Sequence, residues 1–140
     1  MDDLVAWLRH QIDEDERVAR ATLSVGTRAN MRREKPAPRW IRDGSRIRDD
    51  APGPTILRVG HTWAREADHI ARHDPARVLA EVAAKRKVLD LRDSWAREAE
   101  TAPPQASHLF RAQVSAADAV IRALAQPFAG RPGWREEWAT

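Results

Sequence analysis

Between Asp68 and Asp90 the chain reads DHIARHDPARVLAEVAAKRKVLD, and the Asp74-Pro75 step inside it constrains the fold more than any other feature. An aspartate side chain accepts a backbone N–H at a helix start, and proline suits the first helical position because the N–H it lacks would have no partner there. Before the step, Trp63, Ala67 and Ile70 share one helical face; after it, Val78, Leu79, Val82, Leu89 and Ala96 mark a longer stripe. The spacing predicts a short helix from about Thr62 to Arg72, an elbow, and a long helix from Pro75 to about Glu98.

The rest of the chain is read around that elbow. Leu4, Val5, Leu8, Ile12, Ala19 and Leu23 recur at helical spacing and predict an N-terminal helix within residues 1–23, with Asp2 and Asp3 at its dipole-favoured start. Residues 24–38 contain Gly26, Asn30 and the MRREKPAP run, and read as a loop. Two alternating runs, residues 39–42 and 45–48, flank Asp43-Gly44, a hairpin turn signal, with Trp40 and Ile47 toward the buried side and the arginines largely on the other. Residues 55–59 add a third strand, so that residues 39–59 are expected as a small antiparallel meander. Phe110, Val114, Ala117, Ile121 and Leu124 step by four and three along a helix near Ala106 to Ala125. That heptad-like seam suits an antiparallel pair with the preceding helix or a dimer interface. Residues 127–140 form an aromatic tail beyond the helical part, residues 62–126.

The fold class expected is α+β: about four helices with a three-stranded antiparallel meander, in a single domain over residues 1–140. Composition then removes whole classes of function. With no cysteine there is no disulfide, no thiolate zinc site and no cysteine nucleophile. Two carboxylates stand at the N-terminus where a secretory signal carries positive charge, and no apolar run approaches the roughly 20 residues of a membrane span, so a cytoplasmic protein without membrane contact is expected. The net charge of +3 is small, although it is unevenly placed. Residues 1–16 hold six acids against one base, and residues 17–48 hold ten bases against two acids. The basic segment is either an anion-binding surface or the match of the acidic first helix.

Three candidate sites follow. His69 and His73 stand four apart on one helical face, with Asp74 adjacent and His61 upstream, a spacing that presents imidazoles to one divalent metal, as in metal-dependent phosphohydrolases. The bland alternative is that Asp74 caps a helix and His73 sits at a favourable helix C-terminus. Arg28, Arg32, Arg33, Lys35, Arg39, Arg42, Arg46 and Arg48, with Trp40 among them, form a second candidate: cations for phosphates and a ring to stack on a base. An arginine-faced hairpin also blocks edge pairing, with no ligand involved. Phe128, Trp134 and Trp138 form the third, either engaging a partner or clamping back across the helices. No glycine-flanked serine and no phosphate-cradling glycine loop occurs, and no cofactor is implied.

Together the opening DDLVAWLRHQIDEDERVARA, the HIARHDPARVL block and the closing REEW resemble a family of small proteins from actinobacteria and their phages that carries no assigned function. The chain is also distantly similar to phage early-region proteins of the ead type through Ile70, Ala71, Pro75, Val78 and Leu79. Where such relatives follow the first helix with a TPGPW turn, this chain has Leu23 to Thr27, LSVGT; the tail follows their LALPYADHPxYREEW pattern loosely. The ead-type relatives lack histidine at positions 69 and 73, which favours a structural role for the elbow. The resemblance brings no activity and implies association with a phage or mobile element. The lack of assembled catalytic groups, the aromatic tail and the heptad-like fourth helix point to a non-enzymatic accessory protein that binds a macromolecular partner or itself, the rivals being a metal-dependent hydrolase and a nucleic-acid or anionic-ligand binder.

Overall fold

The computed structural model describes residues 1–23, 39–44, 46–49, 55–58 and 64–139. Four helices, α1 (Asp2–Ala21), α2 (Ala64–Arg72), α3 (Pro75–Thr101) and α4 (Pro104–Ala125), dominate them, with strands β1 (Trp40–Asp43), β2 (Arg46–Asp49) and β3 (Thr55–Arg58). The described residues fall into two compact units, Met1–Glu14 with Val82–Thr140, and Asp15–Glu81.

In the first unit the apolar period of α1 is the inward face: Leu4, Leu8 and Ile12 are fully buried, as are Leu89 of α3 and Ile121 of α4. Ion pairs set the helix directions. Arg92 reaches Asp2 at 2.9 Å, Arg9 reaches Asp93 at 2.9 Å, and Arg86 reaches Asp13 at 2.5 Å, so α1 and α3 run antiparallel. Ser107 donates to the Ala99 carbonyl at 2.7 Å and Arg92 holds Asp118 at 3.1 Å, making α3 and α4 a second antiparallel pair. The acids of residues 2–13 are therefore matched by Arg86 and Arg92 of α3 and by Arg135, which holds Asp3 at 3.0 Å. The heptad-like seam of α4 faces inward, with Ala117 and Ile121 buried.

The tail is ordered rather than irregular, forming 3-10 turns at Gln126–Phe128 and Glu136–Ala139. Phe128, 3% exposed, lies between Lys85 and Arg131, whose charges stand 4.9 and 4.6 Å from its ring centre. Trp7 of α1 meets Trp134 at 5.5 Å and Trp138 at 5.3 Å between ring centres, and its indole N–H donates to the Pro132 carbonyl at 3.0 Å. Such tilted aromatic contacts contribute beyond buried area, and the hydrogen bond satisfies the indole.

The second unit contains the sheet, in the order β1-β2-β3, antiparallel throughout. The β1–β2 hairpin is regular, and Asp43 pairs with Arg46. The turn is thus one residue later than Asp43-Gly44: Gly44 opens it at φ +60°, the positive φ that a two-residue hairpin turn requires. This register puts Arg42 opposite Ile47, so an arginine shares the apolar side. The third strand departs from a regular meander. Ile47 pairs with Leu57 but Arg48 with Thr55, a bulge that places one extra residue opposite β2. Ile47 and Ala67 form a buried cluster against which Trp40 and Ile70 pack, seating α2 on the hairpin.

Gly133 is the tightest point of the tail. It has φ +84°, and a Cβ there would stand 2.9 Å from Trp7 Nε1. Substitution Gly133→Ala is expected to lower unfolding free energy by about 1–3 kcal/mol, from left-handed strain and displacement of Trp7, as measured by urea denaturation. Gly130→Ala, which meets nothing within 4 Å, is the matched control.

Candidate functional site

The elbow is built from the end of α2 upward. The His73 N–H donates to the Ile70 carbonyl at 3.1 Å, closing α2, and the Val78 N–H donates to the Asp74 carbonyl at 3.1 Å, opening α3. Asp74 is completely buried. Its Oδ1 accepts the Arg77 N–H at 2.7 Å, the capping bond to the third helical residue, with Pro75 occupying the first position. Its Oδ2 accepts Arg39 Nε at 2.6 Å and the Trp40 N–H at 3.2 Å. One carboxylate thus starts α3 and anchors β1.

Burial acts to raise the Asp74 pKa, but the Arg77 N–H, the Arg39 guanidinium and the Trp40 N–H outweigh it and hold the carboxyl below its ordinary value. Both of its oxygens face donors. His69 and His73 are exposed, with ring centres 4.3 Å apart and planes tilted by 42°, and His73 Nδ1 lies 2.8 Å from the His69 carbonyl oxygen. His61 lies outside the described residues. Among the described residues no three of histidine, aspartate and glutamate gather as a metal-holding group.

Of the basic segment, Arg28, Arg32, Arg33 and Lys35 lie outside the described residues. Three of the hairpin arginines hold acids: Arg39 with Asp74, Arg42 with Asp68 at 2.7 Å, and Arg48 with Asp43 at 3.3 Å. Arg46 is exposed, and Trp40 is half-buried against the Ile47–Ala67 cluster. Phe128 and Trp138 are buried in the tail clamp and Trp134 is half-buried there.

The whole chain, residues 1–140, matches the model of a family of unknown function, DUF6221. The protein belongs to that family. No curated protein and no solved structure matches the chain. Family membership therefore assigns no reaction, and the residues must be read on their own geometry.

One surface escaped the sequence reading. Leu109 and Val120 of α4 are 58% and 48% exposed and stand eleven residues, about three turns, apart. Ala112, Ala116 and Ala123 are exposed on the same stripe. A helical-wheel reading that looked for a second apolar face, besides the inward seam, finds it. A shallow depression at Lys87, Asp90 and Leu91 offers no comparable set, as Asp90 is already held by Arg9. No helix of the described residues is long and apolar enough to cross a membrane.

Because the folded-state pKa of Asp74 lies below its unfolded value of about 3.9, its contribution is fully present above that value and is lost as pH falls through the folded pKa. Asp74→Asn, which can still cap, is expected to cost about 1–3 kcal/mol near neutrality. Urea midpoints measured against pH should show a constant gap from wild type above about pH 5 that narrows below about pH 4.

Proposed function

We propose that the protein acts by docking a macromolecular partner on the outer face of α4, as a non-enzymatic, cytoplasmic accessory protein of a phage or mobile element. The carrying observation is the exposed Leu109-to-Val120 stripe, where alanines intervene and no charged side chain interrupts the apolar path. Contiguous apolar surface on a helix, unlike single exposed side chains, marks contact sites. The resemblance to actinobacterial and phage small proteins supports the accessory setting.

The exposed side chains beside the stripe include the uncharged Gln113 and Ser115, and the acid of α4, Asp118, is engaged with Arg92. The fitting occupant is an amphipathic helix of a partner protein that lays its own apolar stripe along this face. A hydrolase built on His61, His69, His73 and Asp74, or nucleic-acid binding through residues 28–48, has less support: the Asp74 carboxylate and Arg39, Arg42 and Arg48 already hold one another or nearby groups.

Selection of displayed amphipathic peptides on the intact protein tests this reading, with the Leu109→Asp/Val120→Asp variant as counter-target. Enrichment of helical sequences that carry an apolar stripe is expected, binding wild type but not the variant, each exposed substitution changing stability by about 0.5 kcal/mol or less. Equal binding to the variant, no enrichment of helical sequences, or wild-type dimers abolished by the two substitutions would overturn it.

A further inference from the structure

We infer that His69 and His73 form a two-imidazole surface site for a late divalent transition-metal ion, Cu²⁺, Ni²⁺ or Zn²⁺. The inference stands on the elbow and is independent of the α4 face. Side chains four apart on a helix lie one turn above one another. Here the geometry goes beyond spacing, since the two ring centres are 4.3 Å apart and both side chains are exposed.

The hydrogen bond at His73 assigns its donor atom. A carbonyl oxygen only accepts, so His73 Nδ1, 2.8 Å from the His69 carbonyl, carries the proton in the neutral ring. The lone pair then resides on Nε2, the atom pointing away from the backbone. A ring N–H donated to a backbone carbonyl is the arrangement that orients metal-ligating histidines and raises their basicity. The ordered capping geometry of Asp74 keeps the end of α2, and with it His73, in place.

The neighbouring acids decide the metal class. Asp74 is buried with its oxygens on Arg77, Arg39 and Trp40, and Asp68 is held by Arg42. Without carboxylate oxygens the pair is a poor site for Mg²⁺ or Ca²⁺, which demand oxygen ligands. Imidazole suits copper, nickel and zinc, and affinity should follow Cu²⁺ > Ni²⁺ and Cu²⁺ > Zn²⁺. The remaining coordination positions go to water or to an exchangeable ligand. Ligation spans the last turn of α2 and so favours the folded chain.

Isothermal titration of the full chain with Cu²⁺, Ni²⁺, Zn²⁺ and Mg²⁺, together with thermal unfolding, tests the site. One equivalent of Cu²⁺, Ni²⁺ or Zn²⁺ is expected to bind and raise the unfolding temperature, with no effect of Mg²⁺. His69→Gln and His73→Gln should each weaken binding by more than about tenfold, a loss that second-shell changes alone reach. His10→Gln and His108→Gln should leave it unchanged. Absence of saturable binding, equal response to Mg²⁺, or retention in either elbow variant would overturn the inference; circular dichroism of each apo variant separates loss of the ligand from loss of the fold.

Discussion

The buried carboxylate of Asp74 is the constraint on which the second unit depends. It joins two structural requirements in one group, since α3 needs an acceptor for its first free N–H groups and β1 needs an anchor at its first residue. The Arg39 side chain supplies compensating charge from a half-exposed position, so Asp74 stays ionised in a place where water cannot reach it. Replacing Asp74 by alanine would strip α3 of its cap and leave the Arg39 guanidinium and the Trp40 N–H without their acceptor. The cost of such losses exceeds that of breaking an exposed ion pair. Pro75 contributes by fixing the backbone where no donor is required.

The same economy of charge recurs across the molecule. Within the first unit, arginines of α3 and the tail neutralise the acids of α1, and Arg92, between Asp118 and Asp2, remains charged although burial alone would disfavour it. In the second unit the hairpin arginines are distributed over both sheet faces, because the β1–β2 register sets Arg42 beside Ile47, where it meets Asp68 of α2. Among the described residues of the basic segment, Arg39, Arg42 and Arg48 are thus matched by acids of the same unit. Exposed pairs of this kind contribute little stability each, and their main effect is to fix which helix faces which.

Much of this organisation was legible in the residues. Each apolar position predicted for α1, from Leu4 to Leu23, is buried, and Asp74-Pro75 marks the start of α3 at the expected residue. The elements were less legible at their ends: α3 continues to Thr101 and α4 begins at Pro104, since proline is accepted in a first helical turn. The hairpin turn was displaced by one residue because Asp-Gly and Gly-led turns share the same glycine signal, and only cross-strand pairing distinguishes them. The bulge between Ile47 and Arg48 left no local mark at all. Nor did the Arg39–Asp74 contact, which joins residues 35 apart and arises from the packing of α2 on the hairpin. The tail's role did have a signal in Gly133 between Pro132 and Trp134, a left-handed glycine placed where a side chain would strike Trp7.

These features divide the molecule's polar groups into those that hold it together and those left facing outward. Asp74 belongs to the first set and the two histidines to the second, beside the outward-facing apolar stripe of α4. That division is tested most directly by a ¹³C NMR titration of the Asp74 side-chain carboxyl in the native protein. A midpoint below the usual aspartate value of about 3.9 is predicted, because three donors stabilise the anion. A midpoint at or above that value would contradict the account, showing a carboxylate free of its donors and open to chemistry.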